Sequence, residues 1–398
     1  MTMLSIVIPA YNEEKGIAEI MNRVLGVKND LAQAGVQEME LLVVNDGSRD
    51  HTAEVAQQLG EAHPDVRVIS HPKNRGYGAA LKTGFSAAKG ELIGFLDADG
   101  TYPPEYFPQL CRPILDLGVD LVIGSRMAGA DSKMPLTRRV GNVIFASLLN
   151  LLGWQRITDS ASGMRVFKGS ILNRLSPLPD GLNLTPVMST RAVHEGILMT
   201  EVAIPYSERV GRSKLSVLRD GRVFFLSMVW TVLGYNPVRV LGILGMVAAV
   251  PALLIGLGLV AERLAGVTSL TPWGVAALFT ALVLSVTGVS VFSLGATFNY
   301  LVALFYQRPI RQGLFGRPVF KKPLEHQFGW LGMLSVGLGF AIAAVSLTLG
   351  ITGWEIARLW LYLMGGAMLT LVGVQLIVSW ILMRVLEELS QRNHETQA

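Results

Sequence analysis

Within FLDADGTYPPE, residues 95–105, two aspartates stand one residue apart, Asp97 and Asp99, between an apolar run and a turn built on Pro103 and Pro104. Counting back from Asp97, the residues Leu92, Ile93, Gly94, Phe95 and Leu96 read as a short, fully buried strand. Both carboxylates then sit at its C-terminal end, where an open parallel α/β sheet places its ligands. Two like charges so close repel unless a cation lies between or beside them. A hard divalent ion that also holds phosphate oxygens meets that need.

Such a site needs a frame, and the first part of the chain supplies one. Apolar strands are expected at Leu4–Ile8, Glu40–Val44, Val66–Ser70, Glu91–Leu96 and Asp120–Gly124, with helical segments near Glu13–Ala34, Thr52–Leu59, Gly78–Lys89 and Pro104–Leu115. This alternation predicts parallel strands with helices on both faces. Four strands end in polar residues: Pro9-Ala10-Tyr11-Asn12-Glu13, Asn45-Asp46-Gly47-Ser48, Asp97-Ala98-Asp99 and Ser125-Arg126. Their side chains converge on one edge of the sheet. Taken alone, Asp46 to Asp50 reads equally as a turn and helix cap. The glycine-rich Asn74-Arg75-Gly76-Tyr77-Gly78 lacks the third glycine of a dinucleotide fingerprint and does not directly follow a strand, and no P-loop occurs. Gly76 and Gly78 fit a close backbone approach at a helix start, a phosphate or ribose contact being the alternative.

The composition divides the chain in two. Hydrophobic residues make up 51% and charged residues 16% of the 398, well below the quarter charged in an average soluble protein. Beyond Pro237 four uncharged stretches reach the length of about 20 residues that a bilayer requires. They are Val240–Ala261, Val275–Thr297 with an apolar extension to Tyr306, Gly329–Leu349 and Leu359–Met383. Between the second and third lie Arg308, Arg311, Arg317, Lys321 and Lys322 against Glu325 alone, whereas the other loops balance Glu262 with Arg263 and Glu355 with Arg358. The positive-inside rule makes the basic loop cytoplasmic, and four spans then leave both termini and the N-terminal domain in the cytoplasm.

Strand-like Met3–Ile8 begins without a basic flank and cleavage site, so no signal peptide is expected. Cys111 is the sole cysteine, which excludes an intrachain disulfide and a multi-cysteine zinc site. The six histidines show no pair at helical ligand spacing. A net charge of +4 is modest and says little about nucleic acid, and without aromatics interleaved on a basic patch none is expected as a partner.

Taken together and in this order, SIVIPAYNEEKGI, VVNDGSRDHT, NRGYGAALKTGF, FLDADGTYPPE, SASGMRVFKGS and PYSERVGRSKL resemble the family 2 glycosyltransferases that make dolichyl- or polyprenyl-phosphate sugars. The resemblance spans about Ser5 to Asp220. It implies an α/β domain of GT-A fold, Rossmann-like with a mostly parallel sheet, at 1–215. An interfacial amphipathic helix at 216–236, an all-α domain of four transmembrane helices at 237–386 and a tail at 387–398 would follow. It implies transfer of a hexose, with inversion, from a UDP- or GDP-linked sugar to a polyprenyl or dolichyl phosphate, with Mg²⁺ or Mn²⁺ as cofactor. Pro9, Tyr11, Glu13 and Asp46 would line the nucleoside pocket, with Asp97 and Asp99 at the metal and diphosphate. Gly100-Thr101 departs from the Leu-Gln that many relatives carry there, which puts a contact of Thr101 with the metal in doubt. Asp159, matching the family's Asp-x-x-Ser-Gly motif, would orient the acceptor or take its residual proton, a loop cap being the alternative.

The acceptor is an anion brought against another anion, so cationic side chains must hold it, and arginine suits the task through its bidentate fork. The candidates are Arg126, Arg138 and Arg139, then Arg209, Arg212 and Lys214 in ERVGRSKL. Arg209, Arg212, Lys214, Arg219 and Arg222 run into the apolar stretch Val223 to Trp230, the pattern of an anchor at lipid headgroups. A processive polysaccharide synthase is disfavoured by the lack of Gln-x-x-Arg-Trp. A non-enzymatic flippase or scaffold is disfavoured because the spans hold almost no interior charge. A nucleotide sugar, a polyprenyl-phosphate lipid and the membrane are the expected partners, and a homo-oligomer stays open.

Overall fold

The computed structural model describes residues 2–127, 134–152, 156–207, 217–306 and 327–397. Arg209, Arg212 and Lys214, together with the basic loop from Arg308 to Lys322, lie outside the described residues. The chain forms two compact units, Met1–Thr231 and Val232–Ala398.

The first unit is built on strands β1 (Met3–Ala10), β2 (Glu38–Asn45), β3 (Val66–Ser70), β4 (Leu92–Phe95), β5 (Leu121–Ser125), β6 (Arg165–Lys168) and β7 (Met199–Ala203). They form one sheet in the order β3-β2-β1-β4-β6-β5-β7. All neighbours run parallel except β6, which pairs antiparallel with both β4 and β5. β1 is buried along nearly its whole length, as a central strand covered on both faces must be. The five strands read from the sequence are present; β6 and β7 are additions. The order places β1 between β2 and β4, so the crevice at their C-terminal ends is the topological switch point.

Helices α1 (Ile17–Gly26), α2 (Lys28–Gln33), α3 (Thr52–Ala62), α4 (Tyr77–Ala87), α5 (Phe107–Leu117), α6 (Leu136–Leu152), α7 (Leu172–Leu175), α8 (Leu184–His194) and α9 (Val217–Leu233) complete this unit, the end of α9 running into the second. α1 buries Ile17, Ile20, Met21 and Val24, the spacing of one helical face. α5 stops at Gly118, whose φ of 71° closes the helix in the left-handed region. Two apolar cores result, one on each side of the sheet. The expected GT-A-like arrangement, a mostly parallel sheet between helical layers, is the one observed.

The second unit consists of α10 (Pro237–Leu264), α11 (Pro272–Tyr306), α12 (Phe328–Ile351) and α13 (Ile356–Gln397). Each contains a segment long and apolar enough to cross a membrane. α11 runs unbroken over 35 residues to Tyr306, so the apolar extension of the second stretch belongs to the same helix. α13 likewise continues through the sequence expected to form the tail. Close packing relies on small residues: a Cβ on Gly245 of α10 would meet the carbonyl of Gly288 of α11 at 2.7 Å, and one on Gly332 of α12 would meet that of Gly373 of α13 at 2.8 Å.

Candidate functional site

A cavity of about 500 Å³ opens at the C-terminal ends of β1, β2, β4 and β5. Pro9, Tyr11, Glu13, Asp46, Asp97, Asp99, Arg126 and Arg138 all line it. Part of its wall consists of two loops tied to each other. Asn12 takes a φ of 52° and accepts the Arg49 N–H at 2.8 Å. Its own N–H donates to Ser48 Oγ at 3.0 Å, and the Glu13 N–H donates to Thr52 Oγ1 at 2.8 Å. The segment after β1 is thereby fixed by the segment after β2.

Asp46 is buried and serves the third wall segment. Its Oδ1 accepts the Arg75 N–H at 2.9 Å and faces His71 Nδ1 at 2.8 Å; its Oδ2 accepts the Gly76 N–H at 2.8 Å. Because a carboxylate only accepts, the His71 ring is the donor. Gly76 has a φ of 106°, and a Cβ there would stand 2.5 Å from the Asp180 carbonyl. Glycine is required by both the dihedral and the close approach.

Asp97 lies in a cradle. The Tyr77 hydroxyl donates to its Oδ1 at 2.8 Å. Burial, then the adjacent carboxylate, push the Tyr77 pKa well up, so the phenol stays a donor. On its other side stands Gly163, whose N–H donates to the Tyr102 hydroxyl at 2.7 Å. A Cβ on Gly163 would come within 2.5 Å of Asp97 Oδ2 and 2.8 Å of Oδ1. Gly163→Ala must therefore displace this carboxylate, and is expected to slow turnover by up to about 10²-fold, the loss that a misplacement of about 1 Å can bring. Turnover at the parental rate would show that the position of Asp97 is not used.

Asp99 is held by its own turn: Thr101 donates its N–H at 3.1 Å and its hydroxyl at 2.6 Å to Oδ1. Thr101 is buried, and its hydroxyl proton is committed to the carboxylate. It orients Asp99. Among the described residues no group of three or more His, Cys, Asp or Glu side chains could enclose a metal ion. Two carboxylates lining the cavity fit a hard cation that takes its other ligands from a diphosphate and water, as Mg²⁺ commonly does.

Arg126, also at the cavity, leaves the end of β5. Its Nε donates to Asp159 Oδ2 at 2.7 Å and its Nη2 to Oδ1 at 2.8 Å, a bidentate pair. The Arg126 N–H adds a bond to Oδ2 at 3.0 Å, and Asn142 Nδ2 one to Oδ1 at 2.9 Å. The guanidinium also lies 5.7 Å from the Tyr102 ring centroid and 5.4 Å from that of Tyr206. Burial alone would raise the Asp159 pKa, but the Arg126 charge and these bonds outweigh it and hold the carboxyl below its usual range. Asp159 is fully buried and does not line the cavity. The proton-taking role expected from the sequence gives way to one of fixing Arg126, because its oxygens already accept four bonds and a lowered pKa makes it a weaker base. Arg138 lines the cavity, with Nη1 3.4 Å from the Tyr206 hydroxyl; its neighbour Arg139 is exposed and does not line it. One helical residue turns a side chain about 100° away.

Four residues here escaped the sequence reading: Tyr77, Tyr102, Tyr206 and Arg165. Arg165 is completely buried on β6, level with Phe95 in the register. Its Nε donates to the Ser162 carbonyl at 3.1 Å and Nη2 to that of Ser160 at 2.8 Å. Burial pushes its pKa down to about 10, so it remains a cation at neutral pH. Its signal was an arginine opening the apolar run Val166-Phe167.

A family described as glycosyl transferase family 2 matches residues 5–176, and a domain of unknown function matches residues 237–397. The chain is 31% identical over 226 residues to a dolichyl-phosphate hexose transferase of Haloferax volcanii, covering 57% of this chain and 92% of that protein. Among solved structures, a glucosyl-3-phosphoglycerate synthase from Mycobacterium tuberculosis in complex with Mn²⁺, UDP-glucose and phosphoglyceric acid is similar at a TM-score of 0.45 and 21% identity, over 58% of this chain and 80% of that one. A mannosyltransferase from Pyrobaculum calidifontis in complex with GDP-Man and Mn²⁺ is similar at a TM-score of 0.40 and 17% identity, over 93% of this chain and 86% of that one. With the mostly parallel sheet and the relative matched over nearly its whole length, the chain belongs to the family 2 glycosyltransferases of polyprenyl-phosphate sugar synthase type.

Proposed function

We propose that the protein transfers a hexose, with inversion, from a nucleotide sugar to a polyprenyl or dolichyl phosphate in the membrane. The observation that carries this reading is that Asp97, Asp99, Arg126 and Arg138 line one and the same cavity. The carboxylates suit a cation and diphosphate, the arginines an anionic acceptor. Pro9, Tyr11, Glu13 and Asp46 hold the nucleoside end, and Asp97 and Asp99 hold Mg²⁺ or Mn²⁺. Such an ion would supply Lewis-acid stabilisation of charge on the leaving diphosphate.

Tyr77, Gly163 and Thr101 fix the two carboxylates. Arg126, clamped by Asp159, grips the acceptor phosphate with Arg138. The phosphate oxygen forms its bond to the anomeric carbon as the bond to the diphosphate breaks, which inverts that carbon. A phosphate monoester, with a second pKa of about 6, is mostly dianionic at neutral pH, so no side chain has to remove a proton. Arg209 and Lys214 remain assigned to the acceptor on the sequence alone, whereas the exposure of Arg139 fits a lipid headgroup better than the cavity.

The acceptor's lipid tail needs an apolar exit, and two helices lining the cavity offer one. α6 exposes Leu136, Val140, Val143 and Ile144; α9 exposes Val223, Phe225, Leu226 and Trp230, with Arg219 and Arg222 beside them. This supports α9 as the interfacial helix. Transfer of labelled hexose into the organic phase only when polyprenyl phosphate is added tests the function; label in a polymer without lipid would contradict it. For orientation, a protease outside right-side-out vesicles is expected to leave the Arg308–Lys322 loop intact. Cleavage there would reverse the topology.

A further inference from the structure

We infer that the donor nucleotide is a uridine rather than a guanosine diphosphate, because the bonds already made by Asp46 leave one acceptor position for a base. This rests on the reading above, in which the Asp46 end of the cavity receives the nucleoside. A carboxylate offers about four lone-pair positions over its two oxygens. At Asp46, Oδ1 is engaged by His71 at 2.8 Å and by the Arg75 N–H at 2.9 Å, and Oδ2 by the Gly76 N–H at 2.8 Å. Three positions are used, and the one left is on Oδ2.

None of the three donors is free to yield. The two amides belong to the turn that Gly76 packs against the Asp180 carbonyl. His71 is buried, and its Nε2 is held 2.9 Å from Thr83 Oγ1. Guanine presents two N–H groups side by side, N1–H and N2–H, which a carboxylate answers with both oxygens. Uracil presents N3–H alone between two carbonyls. Guanine would have to displace His71 or turn its second N–H to an acceptor other than Asp46, and a carboxylate short of one acceptor position discriminates against such a ligand. Asn74 lines the same cavity with an amide able to donate to a flanking uracil carbonyl. His71 thus acts as a positioning residue: it contacts no base and sets the acceptor count of the residue that does.

The test is titration calorimetry of the full-length protein in detergent with UDP and with GDP, each with Mn²⁺, on the parent and on His71→Leu. The parent is expected to bind UDP about tenfold or more tighter than GDP. In His71→Leu the vacated Oδ1 position admits a second N–H, so the ratio narrows toward about threefold whether or not both affinities fall. A parent that prefers GDP overturns the uridine assignment but leaves the cavity a nucleotide site. An unchanged ratio in His71→Leu, with both affinities lowered alike, makes His71 merely structural and overturns the selection mechanism. Binding of neither nucleotide overturns the underlying reading of the cavity.

Discussion

Asp99→Asn is expected to reduce hexosyl transfer by about 10²–10³-fold, the loss typical when one preorganised electrostatic contact to developing charge is removed. The substitution keeps the turn intact. Thr101 bonds a single oxygen, Oδ1, through its N–H and hydroxyl, and an asparagine carbonyl can accept both. What disappears is the negative charge proposed to face the cation and diphosphate. Thermal stability of the variant should match the parent, while turnover collapses at saturating donor and lipid phosphate. Activity within about threefold of the parent, under 1 kcal/mol of barrier, would remove Asp99 from the reaction.

The second large effect concerns Asp159→Asn. Asp159 is fully buried, and the Arg126 side chain is largely so, with 12% exposed. Removing one partner of a buried ion pair costs about 3–5 kcal/mol, because the other charge is left uncompensated. Arg126 also loses its fork and its aim, so transfer should fall together with stability, and the apparent affinity for lipid phosphate should fall more than that for the nucleotide sugar. The pH dependence separates this from a packing defect. The folded pKa of Asp159 lies below its unfolded value, so the stabilisation is fully present above the ordinary aspartate range, near pH 4. It is lost as pH falls through the lowered folded value. The gap in thermal midpoint between parent and Asp159→Asn is therefore expected to be wide at pH 7 and to shrink progressively below pH 4. A gap of equal size at pH 7 and pH 3 would mean that charge pairing is not its origin.

The parallel strands and the membrane spans were legible because each rests on a local pattern. Leu4 to Ile8 and Leu92 to Leu96 are unbroken apolar runs ending in polar residues, and the spans are uncharged lengths that few soluble helices reach. β6 was not legible: its four residues, Arg165 to Lys168, begin and end with charge, and the neighbours β4 and β5 that make it a strand are remote in sequence. Cavity-lining residues at strand ends could be named in advance, since strand direction alone brings Asp46, Asp97 and Arg126 to one edge. Their partners could not. Whether Asp159 faces a ligand or Arg126, and whether Arg138 or Arg139 turns inward, depends on tertiary placement that no spacing encodes. Tyr77 looked like part of a glycine-rich turn; only the structure brings its hydroxyl to Asp97, twenty residues on.

The most direct test of the proposed chemistry is to determine the product itself. Purified full-length protein, incubated with Mn²⁺, a nucleotide hexose and a short-chain polyprenyl phosphate, should yield a lipid carrying one hexose on a phosphomonoester turned diester. Mass spectrometry would show the single added hexose with one phosphorus retained. NMR would show an anomeric configuration opposite to that of the donor. A lipid diphosphate sugar, a polymer, or a product that retains the donor configuration would contradict a single displacement by the lipid phosphate between Asp97–Asp99 and Arg126–Arg138.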